Sequence, residues 1–319
     1  MTKITVASLF AGGGGWEVGA VMAGCQPVWA SELQDDIAAV HSAALPESRV
    51  FVGDVTHLKP EEVEPVDILC VSPPCQGYSV ARLGRYAQVA GDREDLMVGL
   101  ESIRFFTALM PAVVLMENVV SYAQSDVFRQ LVGALEALGY HVDYRNVLAA
   151  DYDVPSTRRR MILRATRKPL PPWPAAVRPR PTWDAALADL FPTLPEVTGP
   201  IPDYMAKSLA TTHPPRDVSL LVWSGGALRK LPDGERVLWV EQGKPGPTIT
   251  ATYKSIGSSF ILHPNGTRKR FTSRCAARIQ SFPDWYPLPP DPTLAFKVIG
   301  NAVPPMLAKN IIESVLPAV

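Results

Sequence analysis

Between Ile4 and Met116 the chain alternates short apolar runs with helix-like stretches, and this alternation constrains the fold more than any other feature. The runs are ITVASLF, PVWA, RVFV, VDILCV and AVVLM, with helices expected from Trp16, over Gln34 to Ala44 and near Leu96 to Leu109. Parallel strands need a crossover, usually a helix, so the succession predicts a doubly wound, mostly parallel α/β sheet. After AVVLM come the helical SDVFRQLVGALEALGY, closed by Gly139, and the strand-like HVDYRNVLA and RMILRAT. The texture then changes: PLPPWPAAVRPRPTW, residues 169–183, is too dense in proline for regular structure and reads as an extended connector. Residues 220–270 give short segments broken by Gly, Pro and Asn, which suits a smaller, loop-rich second domain. FKVIGNAVPPMLAKNIIESVL reads as a turn followed by a helix with proline at its start. The expected domains are residues 1–180 plus 288–319 and residues 181–287, without an internal repeat.

At 319 residues and 47% hydrophobic composition the chain can bury a sizeable core. No apolar stretch approaches a membrane span, and the start lacks the order of a signal peptide, so a cytoplasmic protein with no membrane partner is expected. Cys25, Cys70, Cys75 and Cys275 show neither a CxxC pair nor metal-ligand spacing, which favours free thiols, one of them a candidate nucleophile, and no metal. The net charge is zero but unevenly spread. Residues 17–67 hold ten acids against Arg49 and Lys59, whereas 154–183 hold eight bases and 242–283 seven, both without an acid. The later part could track phosphates, or its bases could be ordinary solvated faces.

Four constellations carry chemistry. FAGGGGWEVG, residues 10–19, follows a strand and opens a helix, where glycines admit a ligand and the helix N-terminus favours a negative group. Glu32 ends the next strand, where an acid can bind ribose hydroxyls, and Asp54 follows the third strand, where it could take the exocyclic amine of an adenine. Alone these imply only a nucleoside-containing cofactor. In SPPCQGYS, Pro73 and Pro74 fix the backbone ahead of Cys75, at the carboxyl end of a buried strand, and so aim the thiol. MENV puts Glu117 at the end of the next strand, on the same rim. A thiol and a carboxyl group together suit a substrate attacked at one atom and protonated at another, as cytosine is at C6 and N3. In VPSTRRRMILRA, Arg158 and Arg160 alternate on one face and can hold a phosphate and a base carbonyl.

In order, FAGGGG, SE, GD, PPCQ, ENV, RxR, FTSRCAARIQSFPDWY and GNAV resemble the motifs of the DNA (cytosine-5) methyltransferases, over residues 7–166 and 245–312. The resemblance implies a Rossmann-like methyltransferase domain, a target-recognition domain, and methyl transfer from S-adenosylmethionine to C5 of a flipped cytosine in double-stranded DNA, leaving S-adenosylhomocysteine. It makes Cys75 the nucleophile and Glu117 the group at N3 and the exocyclic amine. Arg160 holds the base, and Arg158 supports the site or a DNA phosphate. Phe10, Ala11, Gly12, Gly13, Gly14, Gly15, Glu32, Leu33, Asp54, Val55, Pro74, Leu96 and Asn301 would take the cofactor. Gln76, Ser79, Arg82, Arg85, Thr248, Thr250, Tyr253 and Lys254 would meet DNA, with Arg229, Lys230 and Arg236 as further candidates. A monomer is expected, and a companion restriction endonuclease is left open.

The chain departs from that pattern at three positions: Ser156 stands for a usual glutamine, Cys275 for a glutamate after Arg274, and Ser8 for an aspartate before LFAG. Two alternatives keep the scaffold: a tRNA cytosine-5 methyltransferase, and an idle DNA-binding regulator. A nicotinamide oxidoreductase would use the glycine loop but leaves PPCQ and ENV without a role.

Overall fold

The computed structural model describes residues 3–74, 98–198, 219–223, 237–251, 260–262 and 267–319. The chain divides into two units, one of residues 1–152, 159–176 and 302–319, the other of 153–158 and 177–301. Residues 288–301 therefore group with the second unit.

The first unit is built on a seven-stranded sheet. In chain order its elements are β1 (Thr5–Leu9), α1 (Gly15–Met22), β2 (Gln26–Glu32), α2 (Asp35–Ala44), β3 (Arg49–Val52), β4 (Ile68–Val71), α3 (Ser102–Leu109), β5 (Val113–Asn118), α4 (Asp126–Ala137), β6 (His141–Leu148) and β7 (Arg159–Thr166). The strand order is β3-β2-β1-β4-β5-β7-β6, parallel except for β7, which runs antiparallel to β5 and β6. This is the doubly wound sheet that the alternation predicts. Every residue of β4 and β5 is buried, as expected of central strands covered on both faces. Order reverses at β1 and β4, and ligands of such sheets bind at the carboxyl ends beside that switch.

The core joins Leu69, Val71, Val114 and Met116 of the sheet to Phe105, Phe106, Leu131 and Leu135 of the helices. Trp29 meets Phe51 edge-on, with ring centroids 6.4 Å apart, and donates its indole N–H to the Glu64 carbonyl at 2.8 Å. Ser125 starts α4 by accepting the Phe128 amide, and Gly139 ends that segment with φ +85°. The glycines of α1 serve close approach: a Cβ on Gly15 would lie 2.2 Å from the Val303 carbonyl, and one on Gly19 2.5 Å from the Ala308 Cβ.

The second unit contains α5 (Trp183–Leu187) and an antiparallel sheet of β8 (Ser219–Trp223), β9 (Val237–Glu241), β10 (Phe260–Leu262) and β11 (Arg268–Arg270), in the order β11-β10-β8-β9. It also contains α6 (Ser273–Ile279) and α7 (Pro292–Asn301), while α8 (Pro305–Val315) returns to the first unit. Phe296–Asn301, expected in a turn, instead complete α7. The start signal lies upstream, where Asp291 caps the amides of Thr293 and Leu294 ahead of Pro292. Among the described residues no helix is long and apolar enough to cross a membrane, and no cluster of three metal-ligating side chains occurs.

Candidate active site

The strand ends of the first unit carry the glycine turn. Phe10 adopts a left-handed conformation (φ 58°), rare for a bulky residue and a mark of strain held in place by its surroundings. Three hydrogen bonds fix the turn: Ala11 N–H to the Ser31 carbonyl at 2.9 Å, Gly14 N–H to the Ala11 carbonyl at 3.0 Å, and Gly12 N–H to Glu32 Oε2 at 2.9 Å. The other oxygen of Glu32 accepts the Gln34 amide at 2.9 Å, so two residues twenty apart in sequence form one preorganised edge. At Gly12 a Cβ would meet nothing within 4 Å, leaving that side of the turn open to a ligand, whereas Gly15 is accounted for by its packing on Val303.

Beside the turn a cleft of about 240 Å³ is lined by Ser31, Phe51, Gly53, Asp54, Val55 and Leu58. The Thr56 amide, donating to Asp54 Oδ1 at 2.9 Å, holds the Asp54 carboxyl below the ordinary aspartate range. A ring edge entering this cleft meets an acceptor at Asp54 and apolar walls from Phe51, Val55 and Leu58. These residues fit a nucleoside: carboxylates at Glu32 and Asp54 match its hydroxyls and amine, and the apolar walls match its base. Leu33, 65% exposed, adds apolar surface next to Glu32.

A second rim is built from the ends of β4 and β5 and the start of β7. Glu117 and Arg160 form an ion pair, Nε to Oε1 2.8 Å, with side chains only 7% and 16% exposed. The Arg160 N–H does not point along that line, so Oε1 is charge-paired yet has no hydrogen-bond partner. A buried carboxylate oxygen in that state is available to a donor on a bound ring. Asn118 extends its amide from the end of β5 to the Pro73 carbonyl at 3.0 Å, with both residues buried. Trp16 donates its indole N–H to Ser72 Oγ at 3.1 Å, tying the first turn of α1 to the same segment. The backbone leading to residue 75 is thus anchored from β5 and from α1. Cys75, Gln76, Ser79, Arg82, Arg85, Leu96, Arg229, Lys230, Arg236, Tyr253 and Lys254 lie outside the described residues.

Arg158 and Arg160, alternate in sequence, take different partners. Arg158, 2% exposed, donates Nη1 to the carbonyls of Ile249 and Gly300 at 3.2 and 3.0 Å, all within the second unit. There Ser156 donates to the Pro247 carbonyl at 3.1 Å and Thr157 N–H to the Gly246 carbonyl at 2.8 Å, so 156–158 strap the 246–249 segment. Ser156 therefore engages backbone at the position where a glutamine is usual. The segment buries Ile249 while leaving Thr248 half-buried and Thr250 exposed. Gly300 packs so closely that a Cβ would sit 2.3 Å from the Thr250 carbonyl carbon, and Asn301 next to it is exposed. Cys275 is fully buried, which raises its thiol, and Arg274 instead donates to the Tyr286 carbonyl at 3.2 Å. Ser8 is also fully buried. The basic block 154–183 is thus no uniform solvated face: Arg158 and Arg164 are sunk onto backbone carbonyls and Arg160 onto Glu117.

Sequence reasoning assigned no role to Asn118, Trp16 or Ser72. Asn118 carries a signal, standing next to Glu117 in ENV, whereas the Trp16–Ser72 bond joins residues 56 apart and leaves none.

Known methyltransferases resemble this chain in sequence and in fold. The chain is 30% identical over 327 residues to the Type II methyltransferase M.AplI of Arthrospira platensis, covering 98% of this chain and 86% of the relative. It is 26% identical over 340 residues to the Type II methyltransferase M.Bsp6I of a Bacillus species, covering 98% of each. The fold matches the solved structure of the Entamoeba histolytica methyltransferase EhMeth with a TM-score of 0.70, at 13% identity and 99% coverage of both chains. A family model, C-5 cytosine-specific DNA methylase, matches residues 4–316, and the chain therefore belongs to the C-5 cytosine-specific DNA methylases.

Proposed function

We propose that this enzyme methylates C5 of a cytosine within a specific double-stranded DNA sequence, through a covalent bond between Cys75 and C6 of a base flipped out of the stack. The observation that carries the reading is the pairing of buried Glu117, whose Oε1 lacks a hydrogen bond, with half-buried Arg160, on the rim to which Asn118 anchors Pro73. S-adenosylmethionine, held by the Gly12 turn, Glu32 and Asp54, supplies the methyl group for C5 when bound and leaves as S-adenosylhomocysteine.

Attack of the Cys75 thiolate on C6 breaks the C5–C6 π bond and pushes its electrons toward C5. A proton taken up from solvent, held between Glu117 and N3 and released again when the cysteine leaves, neutralises the charge that would otherwise collect on the ring. Arg160 orients Glu117 and offers its remaining donors to the base carbonyl. Once C5 is methylated its proton is lost to solvent, the π bond re-forms and the C6–S bond breaks, returning Cys75 as thiolate. Flipping costs a few kcal/mol, recovered in pocket contacts. The first unit serves cofactor binding and chemistry. The second serves target recognition, with Thr248, Thr250, Tyr253 and Lys254 meeting DNA. The named relatives are Type II methyltransferases, which supports a restriction-modification setting with a companion endonuclease.

The test is trapping. Duplex DNA bearing 5-fluorocytosine, incubated with enzyme and S-adenosylmethionine, should give an adduct that survives denaturation, and Cys75→Ser should give none. An undiminished adduct in Cys75→Ser overturns the role of Cys75. Labelled tRNA runs beside DNA, and transfer to tRNA alone would replace the substrate in this reading.

A further inference from the structure

One buried group beneath the glycine turn has no role in the chemistry above. His41 lies in the last turn of α2, is fully buried, and holds its Nδ1 3.4 Å from the carbonyl oxygen of Gly12. The ring also closes the underside of Gly14, where a Cβ would meet Nδ1 at 3.2 Å and Cε1 at 3.3 Å. Its Nε2 is buried without a hydrogen-bond partner.

These contacts choose the tautomer. With the proton on Nδ1 the ring donates to Gly12 and leaves Nε2 as a bare acceptor. With the proton on Nε2, a lone pair would face the Gly12 oxygen and a buried N–H would go unpaired, a double loss. The Gly12 residue is then gripped at both polar atoms, its N–H by Glu32 Oε2 at 2.9 Å and its carbonyl by His41. Gly12 has φ +56° and no side chain to restrict it, so only such external contacts select one orientation of its peptides.

We infer that His41 is a positioning residue of the cofactor site: it sets the Gly12 peptide, and through that peptide the Glu32 carboxylate, before the cofactor arrives. The inference rests on the reading of this turn as the S-adenosylmethionine site. His41 itself touches neither cofactor nor DNA, so its loss acts on cofactor affinity and spares the chemical step.

Titration with S-adenosylhomocysteine tests it on the full chain. His41→Phe fills the space without a donor and should weaken binding about tenfold, the scale of one lost hydrogen bond. His41→Asn returns an amide donor near the Nδ1 position and should bind within about threefold of wild type. With cofactor saturating, kcat of both should stay within about twofold of wild type, so the change sits in KM. On the wild-type protein, long-range ¹⁵N correlation spectra should show His41 protonated at Nδ1. Unaltered affinity in His41→Phe, a loss confined to kcat, failure of His41→Asn to improve on His41→Phe, or an Nε2–H tautomer would each overturn the inference. The spectrum decides the matter even where His41→Phe does not fold. Wild-type protein that fails to bind S-adenosylhomocysteine defeats the cofactor reading itself, and the role of His41 falls with it.

Discussion

The side-chain amide of Asn118 donates to the carbonyl of Pro73 across 3.0 Å, in a buried part of the first unit. The same side chain accepts the Val119 amide at 2.8 Å, which fixes its orientation and leaves Nδ2 aimed at the proline peptide. Asn118→Asp keeps the size but replaces the donor by a charged acceptor facing a carbonyl. We expect kcat to fall about a hundredfold with KM for S-adenosylmethionine little changed, because misplacing a nucleophile by about 1 Å costs that much. Steady-state kinetics with both substrates varied checks it.

Two glycines three positions apart in sequence should separate packing from binding when changed to alanine. Gly15→Ala drives a Cβ to 2.2 Å from the Val303 carbonyl and should destabilise the protein by about 3 kcal/mol, read from urea unfolding. Gly12→Ala meets no neighbour within 4 Å but must hold φ +56°, a cost of about 1 kcal/mol. Its main effect should be on S-adenosylhomocysteine affinity, measured by calorimetry.

Thiol chemistry offers a third check. Cys25, Cys70 and Cys275 are buried, and burial pushes each thiol up from its ordinary value, that of Cys70 well up. Since thiolate is the reactive form, a disulfide reagent at neutral pH should modify one thiol rapidly in native protein and none in Cys75→Ser. Denaturation should release the other three.

Acid should weaken the second unit in a defined direction. Arg278 bridges Asp189 at 3.0 Å and Asp284 at 2.9 Å, and these hydrogen bonds hold both carboxyls below the ordinary range. A depressed folded-state value means that the stabilisation is full above the unfolded value of about 4 and disappears as pH falls through the folded one. Melting temperature should therefore drop below about pH 4, and Arg278→Met should remove part of that drop. Asp189 and Asp284 are largely solvated, so added salt should shrink the effect in the wild type.

The sheet and the glycine turn were legible in the sequence because both are written locally, in runs such as VDILCV and in FAGGGG beside its strand. The pairing of Glu117 with Arg160 was not read from the sequence, because nothing in RMILRAT says that its strand runs antiparallel to β5, which is what brings residue 160 to the end of β5. Helix α7 was not legible as a helix, since FKVIGN resembles a turn unless the cap at Asp291 is read with it. The divergence of Arg158 from Arg160 was hidden for another reason. Alternation puts two side chains on one side of a strand, but Arg158 precedes β7 and its partners, Ile249 and Gly300, lie 91 and 142 residues away. His41 was invisible because nothing in DDIAAVHSAA says which face of the helix lies under residues 12–14.

The tight seat of Gly300 against Thr250 and Ala251 bears on how such enzymes could be re-targeted. Arg158 staples the same stretch, so 156–158, 246–251 and 300–301 behave as one welded joint. A chimera that swaps only residues 177–245 leaves that joint whole. One whose seam falls inside 246–251 has to rebuild it from two parents, and new sequence preferences should be easiest to graft where the weld is left uncut.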